Sequence, residues 1–216
     1  MDVEKLTHLE LVPKHTKSIF ILLHGYGSDA EDLFSLGMHF RDLLPNTAII
    51  SVNAPNRCEM QCNGYQWFSL KTMNLFSILK EIRTSQKILN NFIDEQLKRF
   101  NLNNNNLIIG GFSQGAMLAL YSGLRRKPAP IAILSFSGML PDTVETLKKE
   151  IQSKPKIFLC HGTADTMVPY NNLERTENVL REFDIEYESH SIQDMDHMIN
   201  NECIQYARNF IQSLSI

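Results

Sequence analysis

One serine of this chain stands where it could act as a nucleophile. Gly111-Phe112-Ser113-Gln114-Gly115 reads G-x-S-x-G, following the apolar run Leu107-Ile108-Ile109 and opening a stretch of helical periodicity. A serine on such a strand-to-helix turn is held in a strained backbone with its hydroxyl above the sheet. The flanking glycines let strand and helix approach without a Cβ between them. A phosphate-binding reading of the same glycines lacks the lysine of a P-loop and the third glycine of a dinucleotide turn. A hydroxyl nucleophile needs a base, and the base needs a carboxylate to orient it. On a sheet of this kind the partners follow in the order Ser, Asp/Glu, His, each on a loop after a strand. Asp165 fits as the acid, directly after the run Lys156–Cys160, with Asp142 as the alternative. His197, in the loop before the last helix, fits as the base; His190, inside an alternating strand, is the alternative. The attack creates an oxyanion, which calls for backbone N–H donors already aimed at it. The amide of Gln114, at a helix N-terminus, is one candidate, and that of Tyr26 in the turn His24-Gly25-Tyr26-Gly27 is the other.

The elements that must hold these residues are legible in outline. Short apolar runs, Ser18–Leu23, Thr47–Val52, Leu107–Ile109, Ile131–Phe136 and Lys156–Cys160, alternate with helical patterns. That alternation predicts an α/β fold, a mostly parallel sheet with helices on both faces, in one domain spanning 1–216. Apolar residues at spacings of three and four predict helices over 75–100, 114–126, 171–183 and 199–214. The polar alternating run 186–192 reads as an edge strand, and 101–106 as a solvated asparagine-rich connector. Pro55–Asn74 has aromatics, two cysteines and no clear period, which suits a lid or binding wall. Between Phe136 and Lys156 there is room for a loop and a short helix but not for a cap domain. An open apolar cleft walled by Trp67, Phe68, Leu70, Met139, Leu140, Met167 and Val168 is therefore expected, although each of these could equally be packing.

Composition narrows the classes. Lys+Arg number 21 against 24 Asp+Glu, and the basic residues are scattered, which argues against nucleic-acid binding. No apolar run is long enough to span a bilayer, and charged residues through Met1–Thr16 leave no signal-peptide core, so a cytoplasmic protein without integral membrane association is expected. Cys58, Cys62, Cys160 and Cys203 are expected as reduced thiols. The Cys58-x3-Cys62 pair lacks the further ligands that a zinc site needs. The sequence leaves the oligomeric state open, a homodimer included.

With these residues in view, the chain resembles the phospholipase/carboxylesterase family, which includes acyl-protein thioesterases and small bacterial carboxylesterases of the α/β-hydrolase fold. The resemblance is carried by Leu23-His24-Gly25-Tyr26-Gly27, Asn53-Ala54-Pro55, Gly110 through Gly115, His161-Gly162 with Asp165 and Val168-Pro169, and the late His197. It implies Ser113, Asp165 and His197 as a triad, the Tyr26 and Gln114 amides as the oxyanion hole, and no cofactor or metal. The family often has Trp-Phe-Asp where this chain has Trp67-Phe68-Ser69, a glycine where Ala116 stands, and Gly-Met where Asp194-Met195-Asp196 precedes the histidine. These departures bear on the acyl pocket. The expected activity is hydrolysis of esters or thioesters with apolar acyl groups through an acyl-Ser113 intermediate. Small esters, lysophospholipids and S-acylated proteins are the substrate classes in view. Two rivals are a non-catalytic binding module on the same cleft and a metal-dependent hydrolase using His24, His161 and Asp165.

Overall fold

The computed structural model describes residues 6–60, 63–71, 75–214 and 216. Nine strands and six α-helices alternate along them: β1 His8–Leu11, β2 Ser18–Leu23, α1 Ala30–Met38, β3 Thr47–Val52, β4 Asn56–Arg57, β5 Tyr65–Gln66, α2 Leu75–Arg99, β6 Leu107–Phe112, α3 Gln114–Gly123, β7 Ala132–Phe136, α4 Val144–Glu150, β8 Lys156–Gly162, α5 Asn171–Glu182, β9 Tyr187–Ile192 and α6 Asn201–Ser213. Seven strands form one sheet in the order β1-β3-β2-β6-β7-β8-β9, parallel throughout except for β1, which pairs antiparallel with β3.

Every residue of β2 and β3 is buried, because a parallel strand in mid-sheet has both faces covered. Successive side chains of β2 go to opposite sides. Ile19, Ile21 and Leu23 join the core under α2, α3 and α5, whereas Phe20 and Leu22 join the core under α1 and α6. The polar β9 is the edge strand, as its alternation predicts. Strand β1 and helix α1 are additional to the elements expected from periodicity. Helix α1 carries the signal of its own start, with Asp29 accepting from the Glu31 and Asp32 amides as N-cap.

Positions 137–155 hold a loop and the two-turn α4, capped by Thr143, and no cap domain. Pro55–Asn74 departs from the irregular loop expected. Its described part forms the short antiparallel ribbon β4–β5, bridged to the turn after β2 by Ser28 and Tyr65. The asparagine-rich connector is also less solvated than expected: Asn104 is buried, its Oδ1 accepting from Arg126 Nε at 2.7 Å. The expectation of four reduced thiols fails at Cys58, which is disulfide-bonded in the ribbon connection, where the chain doubles back and Cys58 N–H donates to Gly64 O at 3.0 Å. Cys160 and Cys203 are free and buried, and Cys62 lies outside the described residues. No described helix is long and apolar enough to cross a membrane.

Candidate active site

The serine turn is strained in the way its motif requires. Ser113 has φ 53° and ψ −117°, between the end of β6 and the first residue of α3. A non-glycine residue there costs on the order of 1–3 kcal/mol and persists only when its surroundings hold it. Its amide donates to Phe136 O at 2.9 Å and its carbonyl accepts from Met117 at 3.1 Å, pinning both ends of the turn. The hydroxyl makes no cap bond to its own helix. A Cβ on Gly115 would lie 2.0 Å from Leu23 O, so only glycine lets α3 start this close to β2.

Two loops at the carboxyl ends of β8 and β9 complete the cluster. His197 Nε2 lies 2.9 Å from Ser113 Oγ, and His197 Nδ1 donates to Asp165 Oδ2 at 2.7 Å. The other carboxylate oxygen of Asp165 accepts from the Met167 and Val168 amides, both at 2.9 Å. The Asp165 side chain is fully buried and that of His197 mostly so. The two loops are tied together: Ala164 N–H donates to Met195 O at 3.0 Å, and Asp194 N–H to Thr163 Oγ1 at 2.9 Å. A Cβ on Gly162 would meet Met195 O at 2.1 Å, so the histidine loop crosses the acid loop where there is no side chain.

The alternatives lie elsewhere. Asp142 is bound bidentately by the buried Arg125, at 2.7 and 3.0 Å. His190 stacks on Tyr206 at the sheet edge and contacts Glu188 at 2.6 Å. Of the set His24, His161 and Asp165, the last two touch. His161 Nε2 sits 3.3 Å from Asp165 Oδ2 and donates to Val168 O at 2.8 Å. His24 has both ring nitrogens taken, Nδ1 by Gly25 O at 2.7 Å and Nε2 by the Ala54 amide at 3.0 Å, which leaves no lone pair for a metal. Burial pushes the imidazoles of His24 and His161 down from their ordinary range, keeping both neutral.

One contact escaped sequence reasoning altogether. The Gln114 side chain is buried; its Oε1 accepts from Trp67 N–H at 2.7 Å and its Nε2 donates to Phe68 O at 2.7 Å. Trp67 Nε1 donates to His24 O at 3.0 Å, and its carbonyl accepts from the Ser85 hydroxyl. Trp67 and Phe68 thus belong to the core, each about 98–99% covered. Leu140 and Val168 are buried as well, Leu70 and Met139 half-buried, and Met167 is 68% exposed. Of the seven residues expected to wall an open cleft, only these last three present surface. The aromatic pair instead joins the core, its backbone bonded to Gln114, and borders a separate cavity of about 550 Å³ with Glu59, Gln66, Glu81 and Ser85. Tyr26 follows Gly25, whose added Cβ would lie 3.4 Å from Ser113 Cβ, so the turn lies against the serine.

A mostly parallel sheet covered by helices on both faces, with Asp, His and Ser meeting at its strand ends, defines an α/β hydrolase without a cap domain. The model of the phospholipase/carboxylesterase family matches residues 9–215, and the chain belongs to that family. It is 26% identical to lysophospholipase-like protein 1 of Mus musculus, over 92% of this chain and 87% of that protein. It is 29% identical to acyl-protein thioesterase 1 of Mycosarcoma maydis, over 93% and 92% respectively. Among solved structures, esterase PE8 superposes with a TM-score of 0.93 at 35% identity, covering 98% of this chain and 100% of that one.

Proposed function

We infer that this hydrolase cleaves carboxylic esters or thioesters of apolar acids through an acyl-Ser113 intermediate. The observation that carries the reading is the unbroken chain Asp165–His197–Ser113, at 2.7 and 2.9 Å, drawn from three separate loops. His197 Nε2 takes the hydroxyl proton as Ser113 Oγ bonds to the substrate carbonyl carbon, then gives it to the departing oxygen or sulfur. Water, deprotonated by the same nitrogen, releases the acid and restores the serine. Asp165, already bonded to Nδ1, holds the ring in the tautomer with Nε2 free to accept. The Tyr26 and Gln114 amides supply the oxyanion hole in this reading, supported by Gly25 lying against Ser113 and by Gln114 opening α3. In this reading the acyl group lies along Leu70, Met139 and Met167, the members of the expected wall that present surface, while Trp67, Phe68, Leu140 and Val168 are buried. The relatives are named for lysophospholipids and S-acylated proteins, which makes those, with small esters, the substrate classes to assay. A fluorophosphonate probe should label the wild type and leave Ser113→Ala unlabelled. Equal labelling of both would overturn the assignment.

A further inference from the structure

A second surface reaches His197 from the side away from the aromatic layer. There residues of α1 and α6 line a cavity of about 370 Å³ whose apolar lining is Leu33, Leu36, Phe112, Met198, Ile199 and Ile204, and His197 lines it as well. The Phe112 ring lies against that imidazole, centroids 4.8 Å apart. Met198 is exposed, as are the polar lining residues Asp32, Ser35 and His39 at α1 and its C-cap. The sequence pointed to none of this, because α1 and α6 are far apart in the chain and only α6 shows a core stripe.

We propose that this groove is the leaving-group subsite, and that it takes an uncharged, apolar alcohol or thiol. The proposal rests on the esterase reading and adds to it which part of the substrate goes where. In that chemistry the bond from carbonyl carbon to leaving oxygen or sulfur breaks as His197 Nε2 delivers its proton, so the leaving group must lie beside His197. The groove begins at that ring. Its volume is more than twice the roughly 150 Å³ that accommodates a benzene in a protein interior. Its floor is apolar, and its polar lining residues Asp32, Ser35 and His39 stand at exposed positions, so a charged group lying along the floor would lose hydration without replacement. At the exposed edge the carboxylate of Asp32 opposes an anionic leaving group while the imidazole of His39 does not, so exclusion of an anion rests on the apolar floor.

The test holds the acyl group constant as acetate and varies the alcohol: methyl, hexyl and benzyl acetate, and the acetate of 4-(hydroxymethyl)benzoate as the anionic match to benzyl. Wild-type kcat/KM should favour hexyl and benzyl over methyl by about tenfold or more, and should favour benzyl over its anionic match by a similar factor. Ser35→Trp, on an exposed position of α1, fills the groove and should collapse the benzyl-to-methyl ratio about tenfold. The acetate-to-butyrate ratio should not move. Ile204→Phe should act in the same direction, whereas Gln205→Trp, exposed on α6 outside the groove, should leave the ratio as in wild type. A common acetyl-enzyme means that deacylation-limited kcat is shared by all four esters, so the change should fall on kcat/KM. If Ser35→Trp lowers all esters alike, or shifts the acyl-length profile instead, the leaving-group assignment is wrong. If wild type hydrolyses no ester of any alcohol, the esterase reading falls and this inference with it.

Discussion

The two flanks of Ser113 are built by opposite means. On one, His24, Trp67, Phe68 and Gln114 are buried and joined by directed hydrogen bonds between side chains and backbone. On the other, residues of α1 and α6 line a groove with an apolar floor and the exposed polar residues Asp32, Ser35 and His39 at its edge. Hydrogen bonds have narrow geometry, so the first flank has one arrangement, which suits donors that must meet an oxyanion within a few tenths of an ångström. Dispersion contacts have no such directionality, so the second flank can accept leaving groups of different shape. The proposed division of labour is a rigid side that holds charge and a permissive side that releases product.

The largest expected effect lies between the flanks. Ser113→Ala should lower kcat for any ester by about 10⁶-fold, leaving only binding and oxyanion stabilisation, as measured by hydrolysis of a chromogenic ester. Asp165→Asn keeps the shape but gives His197 the wrong tautomer, and kcat should fall about 10⁴-fold with little change in KM. Gln114→Met then breaks the closed flank alone. It preserves the backbone amide and strands Trp67 N–H and Phe68 C=O, so the urea midpoint should drop by the equivalent of about 1–3 kcal/mol. Catalysis should fall about tenfold or more as the wall shifts. Unchanged stability in that variant would mean that the clamp is incidental. Groove variants should be milder, altering selectivity among alcohols more than rate.

The smallest effect is one of pH and belongs to the closed flank and the acid loop. His24 and His161 titrate below their ordinary value of about 6.5 because burial disfavours the charged form. The unfolded chain therefore binds protons that the folded one refuses. Stability is full above about pH 6.5 and declines as pH falls toward the depressed folded values, by at most about 1.4 kcal/mol per pH unit for each histidine. Thermal midpoints from pH 7.5 to 5 should show this decline, and His24→Asn, although less stable throughout, should show a shallower one. An identical slope in that variant would remove His24 from the account.

Legibility follows the range of the interactions concerned. The central strands could be read because complete burial demands unbroken apolar runs, and Asp165 and His197 because strand-end loops are where such partners fall. That these two come within hydrogen-bond distance of each other and of Ser113 required only chain order and strand placement. Helix α1 was missed, because its apolar stripe is short and gave no periodic signal, although Asp29 and the two acidic residues after it mark its start. Trp67 and Phe68 were misplaced for a different reason. An aromatic pair in an aperiodic loop reads the same whether it faces solvent or core, and only the Gln114 side chain, 46 and 47 residues away, settles which.

By itself, then, the amino-acid sequence determined the strands β2, β3 and β6 to β9, the helices α2, α3, α5 and α6, and the three residues that meet at the strand ends, since each is set by local pattern and chain order. Tertiary structure alone decided that Gln114 clamps the aromatic layer, that His161 joins Asp165, that Asp142 belongs to Arg125, and that α1 and α6 part to form a groove beside His197. Apart from His161 and Asp165, four residues apart, these are pairings between segments distant in the chain. A side chain's partners there depend on where the backbones pack, and no local pattern encodes that.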